Sequence, residues 1–189
     1  MQPFIHLHVH SQYSVLDGQA SVKALVDKAI ANGMLGIALT EHGNMFGIKE
    51  LTDYVNKKNK DVDGEIKNLK KTIEELKSAD AVDQEALSKA ETALKEAESK
   101  IFTPIIGCEM YVADNDMTDR SNKKDIGRHL IVLAKNQHGY HNLIKLVSNA
   151  WTDGYYYHPR TDKKQLEKYH EDLIVCSACL GGEVPKLIT

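Results

Sequence analysis

His6, His8 and His10 stand at every second position in the stretch HLHVHS. On an extended strand such neighbours share a face. Three imidazoles then point one way, into a metal site or into the hydrogen bonds of a half-buried strand. Other nitrogen, oxygen and sulfur donors fall at comparable places. His8, His10, Glu41, His42, Glu109 and Cys179 mark the carboxyl ends of apolar runs, where parallel α/β sheets and barrels carry their sites. Asp17 follows the first run in SVLDG, where a loop folds it back over the same end. His129 opens a run and joins the others by pointing inward from its start. Each has an ordinary explanation when taken alone. His42 belongs to a TEHGN turn, and Glu109, on an apolar strand, must be paired, metal-bound or exposed. Their shared placement is what argues for a common centre.

Mixed imidazole, carboxylate and thiolate donors suit zinc, manganese or iron, whereas an all-oxygen set would suit magnesium or calcium. The seven candidates His8, His10, Asp17, His42, Glu109, His129 and Cys179 exceed the four ligands of one structural zinc. Two or three divalent ions sharing carboxylates accommodate them better. Such clusters acidify a bound water to a pKa of about 7 and neutralise charge on a phosphoryl group, an arrangement suited to phosphoester hydrolysis. The CSAC pair reads as half a zinc site, a redox couple, or one ligand and one core residue. A redox pair normally opens a helix, while strand alternation puts Cys176 and Cys179 on opposite faces, with Cys179 nearer the strand end. His138, His141, His158 and His170 lie in polar stretches and read as exposed.

The elements that position these residues alternate. FIHLHVH reads as a strand; SVKALVDKAIANG as a helix with Ser21 as N-cap and Gly33 as its stop; LGIALTE (35–41) as a second strand; MFGIKELTDYVNKK as a second helix. Strand, helix, strand, helix at this spacing implies crossovers and a parallel sheet or barrel. Residues 58–100 break the rhythm. Ile66, Leu69, Ile73 and Leu76, then Leu87, Ala90, Leu94, Ala97 and Ile101, recur at steps of three and four amid Lys and Glu. SADAVDQ between the two sets favours a turn and a new N-cap. An antiparallel helical hairpin with a heptad-like seam is expected there, inserted into a domain made of 1–57 and 101–189. Strands then follow at 103–113, 129–135 and 172–180, with a polar, mobile loop at 114–128. The chain stops at GGEVPKLIT with a helix barely begun, which reads as a cut.

The bulk numbers exclude little but narrow the setting. Of 189 residues, 24 are Lys or Arg and 27 Asp or Glu, a balance that argues against capture of duplex DNA or an anionic membrane by the whole surface. No apolar run spans a bilayer, and no secretory leader is apparent. Three cysteines offer no disulfide framework, so a reducing, cytoplasmic setting is expected.

FIHLHVHSQYSVLDG, GIALTEHGNMFG, PIIGCEMYVA, HLIVLAKNQHGYHNLIKLVS and LIVCSACLGGEVP together closely resemble the PHP (polymerase and histidinol phosphatase) domain that begins bacterial replicative DNA polymerase III alpha subunits. The resemblance implies a distorted (β/α)7 barrel, five strands of it visible here, around as many as three metal ions. Its ligands carry over to His8, His10, Asp17, His42, Glu109, His129 and Cys179. His6 and Glu41 fall just behind them. Glu41 stands where the family usually has Asp, and its extra methylene is expected to loosen His42. The family's last two ligands, an Asp-x-His pair, lie beyond the chain. The whole protein implied is a DNA-directed DNA polymerase with DNA and replisome subunits as partners. The present chain lacks the polymerase acids and is at most a metal-dependent phosphoesterase, of the 3′-5′ exonuclease type used in proofreading. Its cofactors would be two or three zinc or manganese ions, with iron also compatible, and no side chain is assigned as catalytic. Lys123, Lys124 and Arg128 could guide a strand or simply be solvated. A non-catalytic platform for the polymerase is the alternative. A stand-alone PHP phosphatase is another, which YHNLIKLVSNAW and SACLGGEVP disfavour. The hairpin's partner is not identified by the resemblance.

Overall fold

A computed structural model of the chain describes residues 4–78 and 83–188. Helix α1 (Val22–Ala31) starts where the Ser21 side chain accepts the Ala24 N–H, and it buries Val22, Val26 and Ala29. Strand β1 (Gly36–Leu39) is buried throughout. The next helix, α2, opens at Ile48, and its Ile48, Leu51 and Val55 pack with Ile37, Leu39 and Phe102 into the first core cluster. Burying each such aliphatic side chain is worth about 1.5–3 kcal/mol.

Strand β2 (Thr103–Val112) is the spine of the sheet. Along one edge it pairs in parallel with β1 through Thr103–Ile106, bridges His42 at Glu109, and pairs in parallel with β5 (His158–Thr161) through Tyr111–Val112. Its other edge carries β3 (Arg128–Ala134), antiparallel, which in turn pairs antiparallel with β6 (Leu173–Cys176). A short β4 (Tyr155–Tyr156) folds back on β5. Helix α4 (Gln137–Thr152), capped by Asn136, lays Leu143, Leu146, Val147 and Ala150 against Cys108, Met110 and Val132. Helices α5 (Lys163–Lys168) and α6 (Glu183–Ile188) are single short segments near the end.

The sheet is thus mixed, not parallel, and a closed barrel is not what these strands form. Residues 113–127 contain no helix to carry the chain back across, so β3 returns directly beside β2 and must run antiparallel. The expected first strand is also absent. Residues 4–10 form no strand and bend at Leu7 and His8, touching the sheet through the Ala38 N–H on the His6 carbonyl and the Thr40 N–H on the Val9 carbonyl, both 2.9 Å. The last strand is shorter than expected because Ala178, with φ of 60°, turns the chain after Cys176.

The polar loop after β2 is tied to the rest of the fold by hydrogen bonds. The fully buried Arg160 donates to the carbonyls of Asp125 (2.9 Å), Met117 (2.9 Å) and Asp119 (2.8 Å). Asp162 accepts the Met117 N–H at 3.0 Å. Between β4 and β5, Tyr157 alone makes the turn, with Tyr156 paired to His158 and φ of 59° at Tyr157. A tyrosine in the left-handed region costs about 1–3 kcal/mol.

Helix α2 does not break near residue 58. It runs on to Ser78 as one 31-residue helix, about 45 Å long at about 1.5 Å per residue. Helix α3 (Gln84–Glu98) starts at Asp83, whose carboxylate accepts the Glu85 and Ala86 N–H groups. The seam residues behave as their spacing implies: Ile73 and Ala97 are buried, and Ile66, Leu69, Leu76, Leu87, Ala90 and Leu94 half-buried. Ion pairs Lys70–Glu98 and Lys77–Glu91 cross between the helices. The turn expected in SADAVDQ falls largely on residues 79–82, outside the described residues. At the base, the Asn59 side chain both donates to the Phe102 carbonyl and accepts its N–H.

Candidate metal centre

Glu109 lies in the carboxyl-terminal half of β2, with its side chain only 1% exposed. Its backbone N–H donates to the Glu41 carbonyl (3.0 Å) and its carbonyl accepts the Gly43 N–H (2.8 Å), which fixes the TEHGN turn beside it. Gly43 needs to be glycine there, since φ is +60° and an added Cβ would sit 2.5 Å from Pro159. The turn aims His42 at the carboxylate, Nδ1 lying 2.5 Å from Oε2. On its outer side, His42 Nε2 meets the exposed Asp17 carboxylate at 2.8 Å.

The bent amino-terminal segment brings two more imidazoles. His8 Nε2 is 3.1 Å from Glu109 Oε1, His10 Nε2 is 3.7 Å from Oε2, and the two Nε2 atoms are 3.0 Å apart. From β3, His129 Nδ1 reaches Oε1 at 2.9 Å. The turn after β6 places Cys179 Sγ 3.4 Å from His129 Nδ1 and 3.8 Å from Glu109 Oε1. All seven residues singled out from the sequence therefore converge, in three overlapping groups: His8, His10 and Glu109; His10, Asp17 and His42; Glu109, His129 and Cys179.

Burial would push the Glu109 carboxyl up, but the His129 and His42 imidazoles beside it outweigh that effect and hold the group below the usual carboxylate range. The same contact with Glu109 raises His42, against the effect of its burial. Burial, reinforced by the neighbouring His42, drives His10 down to about 4, leaving it neutral at pH 7.

The donor set fits cations on two counts. The separations from Glu109 to His8, His10, His129 and Cys179, 2.9–3.8 Å, are those found across the coordination shell of an ion whose bonds are about 2.0–2.3 Å long; His42 Nδ1 comes closer, at 2.5 Å. His42 Nδ1 and Glu109 Oε2 are also buried without a well-directed hydrogen bond despite their closeness. A carboxylate has no proton to offer, so a proton or a metal ion is needed between them.

A second layer fixes one ligand's tautomer. Glu41 is fully buried and takes hydrogen bonds from the Ser11 N–H, the Ser11 hydroxyl and the Ser14 hydroxyl. Having spent its only proton on Glu41, Ser14 Oγ must accept at His10 Nδ1 (2.8 Å) and from the His42 N–H (3.2 Å). His10 therefore carries its proton on Nδ1 and turns an Nε2 lone pair toward Glu109. The extra methylene of Glu41 is expected to loosen His42; the side chain instead reaches the serines and meets His42 only through the Ser14 hydroxyl, which accepts the His42 N–H. His6 is also misplaced by the sequence pattern. It is exposed, packs edge-on against Phe4, and lines a cleft with Leu25 and Met34, because the bend at 7–8 breaks the alternation.

Cys176 is half-buried against Ile131 and Leu133. His138, His141 and His170 make local contacts away from the centre. His158 does not: it stacks on Tyr111 with centroids 4.4 Å apart, and Tyr111 packs edge-on against His129 at 5.0 Å. Nothing in the polar YYYHPRT stretch pointed to this, nor to Arg160. Lys123 and Lys124 are exposed, and Arg128 pairs with Asp114.

Residues 6–189 match the PHP domain family. The chain is 41% identical to the DNA polymerase III subunit alpha of Borreliella burgdorferi over 98% of its own length and 13% of that protein's. It is 40% identical to the subunit of the same name from Treponema pallidum, over 98% of the chain and 12% of the relative. With the one from Chlamydia muridarum the identity is 36%, over 96% and 11%. It thus spans only a small part of the length of these relatives, while the family match takes in nearly every residue: the chain belongs to the PHP domain family.

Proposed function

We propose that His8, His10, Asp17, His42, Glu109, His129 and Cys179 hold two or three divalent cations, zinc or manganese, and that the centre hydrolyses phosphodiesters. Its work would be to remove mispaired nucleotides from the 3′ end of DNA, as part of a longer polymerase chain with DNA and other replication subunits as partners. The observation that carries this reading is the buried Glu109 carboxylate with four imidazoles and a thiol at coordination spacing. When bound, such cations supply an acidified water and neutralise charge on the phosphoryl group. The chain's own residues do the positioning. Glu109 offers one oxygen to the His129 and Cys179 side and the other to the His42 and His10 side. Glu41 and Ser14 fix the His10 tautomer, and Asp17 leaves the open side of the centre acidic. Residues 58–100 are read as a hairpin appended to a unit formed by 1–57 and 101–189.

Elemental analysis of the purified chain, followed by zinc and manganese titration, tests the metal reading. His8→Ala and Glu109→Ala should each lower the metal content. They should also abolish release of a mispaired 3′ nucleotide. Metal-free protein that takes up neither ion would overturn the proposal. A second reading, a non-catalytic platform, draws on the raised pKa of His42: an imidazolium there satisfies Glu109 with no metal at all. It requires that the chain stay folded and ion-free with zinc present in excess.

A further inference from the structure

Beside His42 a cleft of about 390 Å³ runs over Tyr13, Tyr111, Trp151, Tyr155, Tyr157 and His158, within the size of about 300–1,000 Å³ common for small-molecule sites. From this cleft we infer a nucleobase-stacking subsite, in which an unpaired base of single-stranded nucleic acid lies on the Trp151–Tyr155 pair while its phosphate faces the His42 edge of the centre. The inference rests on the phosphodiester reading above and names the part of the substrate that reading leaves unassigned.

Three observations carry it. First, the rings are continuous with the centre. Trp151 and Tyr155 stack at 5.6 Å and 24°, and the Trp151 indole N–H is tied to the Gly43 carbonyl at 2.8 Å, one residue from His42. His158 stacks on Tyr111, which touches both His42 and His129. Second, the aromatic surface is not needed by the core. Phe46 is 66%, Trp151 43%, Tyr155 47% and Tyr157 67% exposed, and planar bases stack on such faces regardless of sequence. Third, Tyr157 occupies a left-handed turn position that glycine would fill without strain, so an aromatic ring is presented at the mouth against the local backbone preference. The polar lining suits a base better than an aliphatic peptide: His42, the buried Ser14 and the exposed Gln12 all line the cleft.

Trp151 is the only tryptophan in the chain, so its emission reports the subsite directly. The experiment titrates the chain with a short oligothymidylate and with an abasic strand of equal length, with EDTA present so that nothing is cleaved. Saturable quenching by the oligothymidylate and little by the abasic strand is expected. Tyr155→Ala and Tyr157→Gly should each weaken binding about tenfold, the typical loss for one base–aromatic contact. Tyr157→Gly should do so without lowering the unfolding midpoint, since it relieves the turn, and Tyr155→Phe should restore binding. Equal quenching by both strands, no quenching, or unchanged affinity in both variants would overturn the subsite. Because the ions are chelated here and titrated separately above, loss of base binding with intact zinc uptake sinks this inference alone. Absent zinc uptake with base-dependent quenching sinks only the metal reading.

Discussion

The α2–α3 arm and the Glu109 centre are both made of ionisable side chains on regular elements, and they place them in opposite environments. In the arm, Lys77 and Glu91 meet at 2.9 Å with 55% and 46% of their side chains exposed. Water competes for both partners, and such a pair contributes about 0–1 kcal/mol. In the centre, Glu109 is 1% exposed and lies within 4 Å of four imidazoles and a thiol. There each lone pair must be answered locally, because an unanswered buried charge is strongly destabilising. Charge density in the sequence therefore says little about energetic weight. Burial decides it, and burial is set by the apolar runs around each group.

Arg160 gives the largest effect expected from this contrast. It is buried as deeply as Glu109 and satisfies three loop carbonyls, with Asp125 at 3.7 Å. Arg160→Ala should lose about 3–5 kcal/mol of unfolding free energy, read by urea denaturation. Proteolytic nicking between residues 114 and 128 should appear with it. A loss below about 1 kcal/mol would show that the loop is held by something else and that burial is not the deciding variable.

Glu109→Gln comes next. It keeps the shape of the side chain but removes the charge shared by two of the three donor groups. Zinc affinity should fall more than about 100-fold, beyond the range of about 10–100-fold typical of groups that only support a ligand. Titration calorimetry on both proteins checks this, and similar affinities would mean that Glu109 merely buttresses histidines.

These two residues also show what the sequence made legible. His42 and Cys179 were visible because each ends an apolar run, and Glu109 because it follows PIIGC within one; a polar group in such a place has few ways to be satisfied. His8 and His10 were visible by spacing, but the same spacing wrongly included His6, since period-two alternation holds only while the strand is unbent. The helix seam was legible because residues spaced by three and four need only one neighbouring helix to bury them. Arg160 and His158 were not legible. Their weight comes from the loop carbonyls and the Tyr111 ring that long-range packing brings to them, and YYYHPRT carries no periodicity that would announce it. The antiparallel return of β3 could have been inferred from the missing helix in 113–127. The role of Glu41 could have been inferred too, since adjacent residues of an extended chain point to opposite sides.

Ser14→Ala separates position from ligation and should have a smaller effect. The variant leaves all seven donors in place but removes the acceptor for His10 Nδ1 and a donor to buried Glu41. Metal affinity should drop about 10–100-fold. Glu41→Asp tests the same layer by shortening the carboxylate, and it should weaken binding less if Ser14 can follow it. An unchanged affinity in Ser14→Ala would mean that the His10 ring is held by the metal alone.

The smallest effect is expected in the arm, where the comparison is easiest to break. A double-mutant cycle on Lys77→Ala and Glu91→Ala should give a coupling of about 0.2–1 kcal/mol that fades with added salt, because both groups keep most of their hydration. The seam beside the pair is apolar, with Ile73 and Ala97 buried in it, and does not depend on that charge. The double variant should therefore keep its helical circular dichroism and its zinc affinity. A coupling above about 2 kcal/mol would place this exposed pair on the scale of a buried one. Burial would then no longer distinguish the arm from the centre, and the ranking of all the effects above would lose its physical basis.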